Sequence, residues 1–120
     1  MSREEAWHSF WAGFGLKAYD ENSVPDSAKL PYITYEINTG EFDETVAMSA
    51  SIWYRSSSWE GAVGKQHEVE AAIPHGGRLI PYDNGGLWVK RDSPFAQRMD
   101  DASDDYIRRI VLAVLVEFIE

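Results

Sequence analysis

The chain contains no cysteine. That absence excludes disulfide scaffolds, thiolate zinc sites and cysteine nucleophiles, and it fits a reducing, intracellular setting. Long apolar runs are missing too. The longest, Ile110 to Val116, falls far short of the roughly 20 residues a membrane-spanning helix needs. The opening Met1-Ser2-Arg3-Glu4-Glu5 lacks the charged-then-apolar pattern of a signal peptide. The expectation is a soluble cytoplasmic protein with no membrane partner. Basic residues are scarce, 11 against 20 acidic ones, for a formal net charge of −9. Binding through phosphates needs a basic face, yet the only adjacent basic pairs are Lys90-Arg91 and Arg108-Arg109. We therefore expect no specific nucleic-acid binding. The negative field serves solubility, or a channel through which DNA passes without sticking.

Chemical constellations are equally sparse. His8, His67 and His75 have no histidine partner at helical spacing. His67 followed by Glu68 and Glu70 comes nearest to a metal site, but on a helix these groups diverge. Acid clusters stand at Asp20-Glu21, Glu41 to Glu44 and Asp100 to Asp105. Carboxylate pairs can do acid–base work, yet these fall in turn-forming stretches where Asp is solvated. The Asp100-to-Asp105 run lacks the glycine and closing glutamate of a calcium loop. Ser56-Ser57-Ser58 has no nucleophile-elbow context. Gly76-Gly77 and Gly85-Gly86 are turn glycines, not a phosphate cradle. The expected catalytic, cofactor-binding and metal-ligating sets are all empty, and the expectation is a non-enzyme.

What the chain does have is apolar and aromatic surface: 44% hydrophobic residues, with five Trp, six Tyr and five Phe in 120 residues. Aromatic side chains bury the most area each, enough for a packed core and for a second, intersubunit surface. Ser2 and Glu5 have the spacing of a capping box. Trp7, Phe10, Trp11 and Phe14 follow on one stripe, which predicts a helix over 3–14, ended by Gly13 and Gly15. Leu16 to Tyr19 reads as a short strand and Asp20 to Lys29 as a loop. Pro31 to Ile37 and Glu44 to Arg55 alternate with period two and read as an antiparallel hairpin around Asn38-Thr39-Gly40. Ser57 and Glu60 suggest a second capping box, opening a helix to about Ile73. Gly61 and Gly64 within it suit close packing on the sheet. Asp83-Asn84-Gly85 between Arg78–Tyr82 and Gly86–Lys90 signals a hairpin. Asp92 to Ser103 reads as a polar stretch. Tyr106 to Phe118 fits two periods: Ile107, Ile110, Val111, Val114 and Phe118 make a helical stripe, while the density of β-branched residues favours a buried strand. The sum is a single α+β domain, 1–120, with a mostly antiparallel β-sheet packed against two α-helices.

Two stretches then carry a resemblance. Ala18-Tyr19-Asp20-Glu21-Asn22 with Val24-Pro25, and Leu30-Pro31-Tyr32-Ile33-Thr34-Tyr35-Glu36, together resemble the lead-in to the sheet of bacteriophage tail terminator (tail completion, head–tail neck) proteins. The similarity covers roughly residues 3–73. It implies a structural assembly protein of a long-tailed phage or prophage, found in the bacterial host cytoplasm and the virion tail. It further implies self-association into a ring, usually a hexamer, at the head–tail junction. The implied partners are the major tail protein and head–tail connector proteins, with no catalytic residues and no cofactors. The competing reading is a small non-phage protein-binding or adaptor module.

Overall fold

In the computed structural model, which describes residues 1–41, 44–101 and 103–119, helix α1 (Arg3–Ala12) starts at a reciprocal cap. Glu5 N–H donates to Ser2 Oγ at 3.1 Å, and Ser2 N–H donates to Glu5 Oε1 at 3.2 Å. The helix closes at Ala12, two residues before its aromatic stripe ends, because Gly13 caps it and Gly15 turns into the left-handed region at φ 82°. Ala6, Trp7 and Trp11 are buried, whereas Phe10 and Phe14 are half-buried. The stripe is thus buried most deeply at its two tryptophans and only partly at its phenylalanines.

Six strands follow: β1 (Lys17–Asp20), β2 (Tyr32–Tyr35), β3 (Thr45–Arg55), β4 (Arg78–Tyr82), β5 (Gly85–Met99) and β6 (Ile107–Ile119), with helix α2 (Glu60–Ala72) between β3 and β4. They form one sheet in the order β1-β2-β3-β6-β5-β4. Every pairing is antiparallel except β1 with β2. Helix α1 touches β1 and β2 near one edge and β4 at the other, so the sheet curls around it. The fold is α+β, a mostly antiparallel sheet with two helices.

The last element is a strand, and it is central. β6 lies between β3 and β5, in register with β3 from Arg55↔Ile107 to Thr45↔Glu117. Ile110, Leu112, Val114, Val116 and Phe118 are buried on the helix side, and Val111, Ala113 and Leu115 are half-buried on the other. A strand apolar on both faces loses its alternation, which is why the same run also fits a helical stripe.

Three expectations need correction. The polar stretch from Asp92 begins as strand: β5 runs past Lys90 to Met99 and pairs with β6 again from Ala96↔Leu112 to Met99↔Arg109. A register shift between Arg91 and Ala96 takes up the extra residues, Pro94 among them. Its missing N–H costs nothing there, because the β4 pairing stops at Arg78↔Val89 and leaves this flank of β5 unpaired among the described residues. The second capping box is absent. Trp59 is the N-cap of α2 without a side-chain cap, and Ser58 Oγ instead accepts from Glu60 N–H at 3.1 Å. Finally, Asn38-Thr39-Gly40 lies in a longer connection from Glu36 to Glu44, of which Phe42 and Asp43 fall outside the described residues. The Asp83-Asn84 hairpin holds, with Asn84 taking the positive φ, 66°.

Candidate functional site

Both helices pack on one face of the sheet, and the other face has no cover among the described residues. Registers place its side chains in rows across the strands. Lys17, Tyr32, Trp53, Arg109 and Met99 form one row; Tyr19, Thr34, Ser51, Val111 and Gln97 form the next. Beyond them Ala47 faces Leu115, and Glu117 lies between Thr45 and Trp88. One half of this face is therefore aromatic and cationic, while the other sets Ala47 and Leu115 beside Trp88, Lys90 and Glu117.

The aromatic half is held together by its own contacts. Tyr19 stands edge-on to Tyr32, with ring centroids 5.6 Å apart, and Tyr32 leans on Trp53 at 6.4 Å. The Arg109 guanidinium sits 4.5 Å above the Trp53 ring, the geometry in which a cation meets the negative face of an indole. Arg109 Nε donates to Ser51 Oγ at 3.1 Å, and Trp53 Nε1 donates to Thr34 Oγ1 at 2.9 Å. Thr34 and Ser51 are buried beneath these two large side chains even though they point away from the helices. The outcome is a surface whose large side chains are packed on and hydrogen-bonded to one another.

Where β2 leaves the ladder, Glu36 takes over its pairing. Its N–H donates to Ser49 O at 3.1 Å, and its carboxylate accepts Ser49 N–H at 2.7 Å. Its carbonyl also accepts Trp7 Nε1–H at 2.9 Å, tying α1 to this corner. Glu21 lies close by. Desolvation, and then the neighbouring Glu36 charge and a hydrogen bond with it, push the Glu21 carboxyl above its ordinary 4.5. Burial, with Asp20 adding to it, pushes the Tyr35 hydroxyl above its ordinary 10.0. Tyr35 Oη is 3.0 Å from His8 Nδ1.

The groups examined for chemistry do not converge. His8, His67 and His75 are all exposed and lie apart on α1, on α2 and in the turn after α2. Among the described residues, no group of three or more His, Asp or Glu could hold a metal ion. In the Asp100-to-Asp105 run, Asp101 accepts from Ser103 N–H and Oγ, and Asp104 accepts from Tyr106 N–H and pairs with Arg55 at 2.7 Å. These donors hold both carboxyls below their ordinary 3.8. They are turn carboxylates already engaged, Asp101 by its own loop and Asp104 by its loop and by Arg55 of β3. Gly77 (φ 97°) and Gly85 are packing glycines: a Cβ on Gly77 would meet the Trp88 ring at 2.9 Å, and one on Gly85 would collide with Ile119 O.

No protein-family model matches the chain, and no curated protein sequence is significantly similar to it. Among solved structures it is similar to a chain of the virion of a native gene transfer agent (GTA) particle. The likeness has a TM-score of 0.60 and 18% identity, and covers 92% of this chain and 84% of that one. What the two share is the fold.

The aromatic–cationic rows had a sequence signal that composition alone does not reveal. Tyr32 and Thr34 alternate with Ile33 and Tyr35, and Ser51 and Trp53 with Ile52, so two large aromatic residues stand on the outward phase of their strands. Lys17, Tyr19 and Arg109 join them only through strand pairing, which no local pattern encodes.

Proposed function

We propose that this chain is a structural assembly protein of a long-tailed phage or phage-like particle, of the tail terminator or completion type. It forms a ring, a hexamer on assembly, at the junction of tail and head. The observation that carries this reading is the fold shared with a GTA virion chain over 92% of the present one. It is supported by the resemblance of residues 18–36 to the terminator lead-in, and by a sheet with one open face and free edges. A protein of this kind acts through its interfaces rather than through a reacting group. Its partners are further copies of itself, the major tail protein below and the connector above. Its places are the host cytoplasm and the virion tail. Its −9 charge suits a passage that DNA traverses without binding.

The test is functional. Purified protein is added to tail tubes that lack a terminator, and head joining is then scored in vitro. The proposal expects tubes to join heads only after the protein is added, and tube length to stop growing at the same step. Tubes that bind none of it and join heads equally well without it would refute the proposal.

A further inference from the structure

The sheet has a free flank on each side, and at one end of the molecule these flanks carry opposite charge. On one side β1 (Lys17–Asp20) has no strand beyond it among the described residues. Two concavities of about 520 and 460 Å³ open beside it, separated by the Lys29 segment that lines both. Their charged lining is wholly basic: Lys17 and Lys29 in the first, Lys29 and Arg55 in the second, with Tyr19 and Tyr32 as the aromatic walls. Lys17 and Lys29 are exposed and make no ion pair among the described residues.

On the other side β4 covers β5 only to Val89. Ala96–Met99 therefore pairs with β6 on one flank and is free on the other. This free stretch runs straight into the acidic turn between β5 and β6. Asp104 is neutralised there by Arg55 of the same chain. Asp100 and Asp105 are exposed and make no ion pair among the described residues. The row Lys17–Tyr32–Trp53–Arg109–Met99 crosses the sheet at this same end. At equal height on opposite sides of one chain thus stand the β1 flank, with the exposed Lys17 and Lys29 beside it, and the Ala96–Met99 edge, which leads into the exposed Asp100 and Asp105.

We infer that these two flanks are the halves of one head-to-tail contact between copies of this chain. The free β5 edge of one copy lies along β1 of the next, and its Asp100 and Asp105 enter the Lys17–Lys29 concavities. The inference rests on the ring reading and names the surfaces that close the ring. Unpaired strand edges template pairing, opposite charges steer the approach and fix its register, and two different surfaces meeting repeatedly close into a ring where the rotation between copies divides a full turn. The open aromatic face is left free for a partner other than the neighbour.

A charge swap tests it. Lys17→Glu/Lys29→Glu and Asp100→Lys/Asp105→Lys alter exposed side chains, so thermal melts of both variants should match the parent. In sedimentation, each variant alone should self-associate at least about tenfold more weakly than the parent at moderate salt. An equimolar mixture should recover the parent's association to within about twofold, because every contact in an alternating ring then joins opposite charges. Parent-like association of either variant, or a mixture no better than its components, would overturn the docking while leaving the ring reading intact. Failure of the parent itself to associate, with or without tail tubes, would remove both. Retention of a short single-stranded DNA by the parent, lost in Lys17→Glu/Lys29→Glu, would reassign the concavities to phosphate and also overturn the docking.

Discussion

At the scale of single residues, volume and protonation pull in different directions. The Trp11 ring is 0% exposed and stands edge-on to Trp7 and Phe10, at 5.4 and 5.0 Å. Its indole N–H is buried and finds no partner among the described residues. Trp11→Ala should cost about 3–5 kcal/mol by opening a cavity. Trp11→Phe should cost distinctly less, because it removes the unpaired N–H along with part of the ring. Chemical denaturation of the two variants measures the difference, and equal losses would contradict this account of the core. Glu21 supplies the pH-dependent case. Its carboxyl is raised in the folded chain by desolvation and by Glu36, so its ionised form opposes folding. That penalty is present above the raised value, is relieved as pH falls through it, and is gone below the ordinary 4.5. Glu21→Gln should therefore melt higher than the parent at neutral pH, with the gap closing by about pH 4. A gap that widens toward acid would contradict the assignment.

Individual elements were legible wherever one face met water. The capped start of α1, the alternating strands β2 and β3 and the Asp83-Asn84 hairpin all announce themselves because burial on one side imposes a period. β6 was harder, since two apolar faces erase that period. Its β-branched side chains decided for a strand, and its place at the centre of the sheet explains them. The distal half of β5 was not legible at all. Its residues from Asp92 onward are polar because its outer flank is a free edge, and Pro94 is tolerated for the same reason. The two glycines of α2 separate a packing role from a neutral one. A Cβ on Gly61 would meet the Tyr54 ring at 2.9 Å, whereas nothing lies within 4 Å of one on Gly64. Gly64→Ala should raise stability by up to about 1 kcal/mol through helix propensity. Gly61→Ala should gain nothing or lose about 1–3 kcal/mol, because the Tyr54 ring must move. Paired thermal melts decide it, and equal gains would show that α2 does not rest on Tyr54.

For the whole molecule, what matters is the surface that folding leaves uncovered. The helices satisfy one face of the sheet. The opposite face keeps Trp53, Tyr32 and Arg109 in a packed array, and among the described residues both flanks end in unpaired edges. Only part of the array could be read from sequence: alternation puts Tyr32 and Trp53 on the outward phase of their strands, but Arg109 joins them only through pairing of β6 with β3. A chain that works alone gains little from such exposure, whereas a ring subunit seated on a tube uses every uncovered side. On the proposed ring reading each contact between copies can be modest, and closure would then depend on concentration and on the template beneath. The most direct measurement is sedimentation of the purified protein at rising concentration, with and without tail tubes. The account predicts weak association of the protein alone and a closed ring of fixed size, one per tube end, once tubes are present. A strict monomer up to about millimolar concentration that also fails to bind tubes would contradict it and leave a protein-binding module in its place.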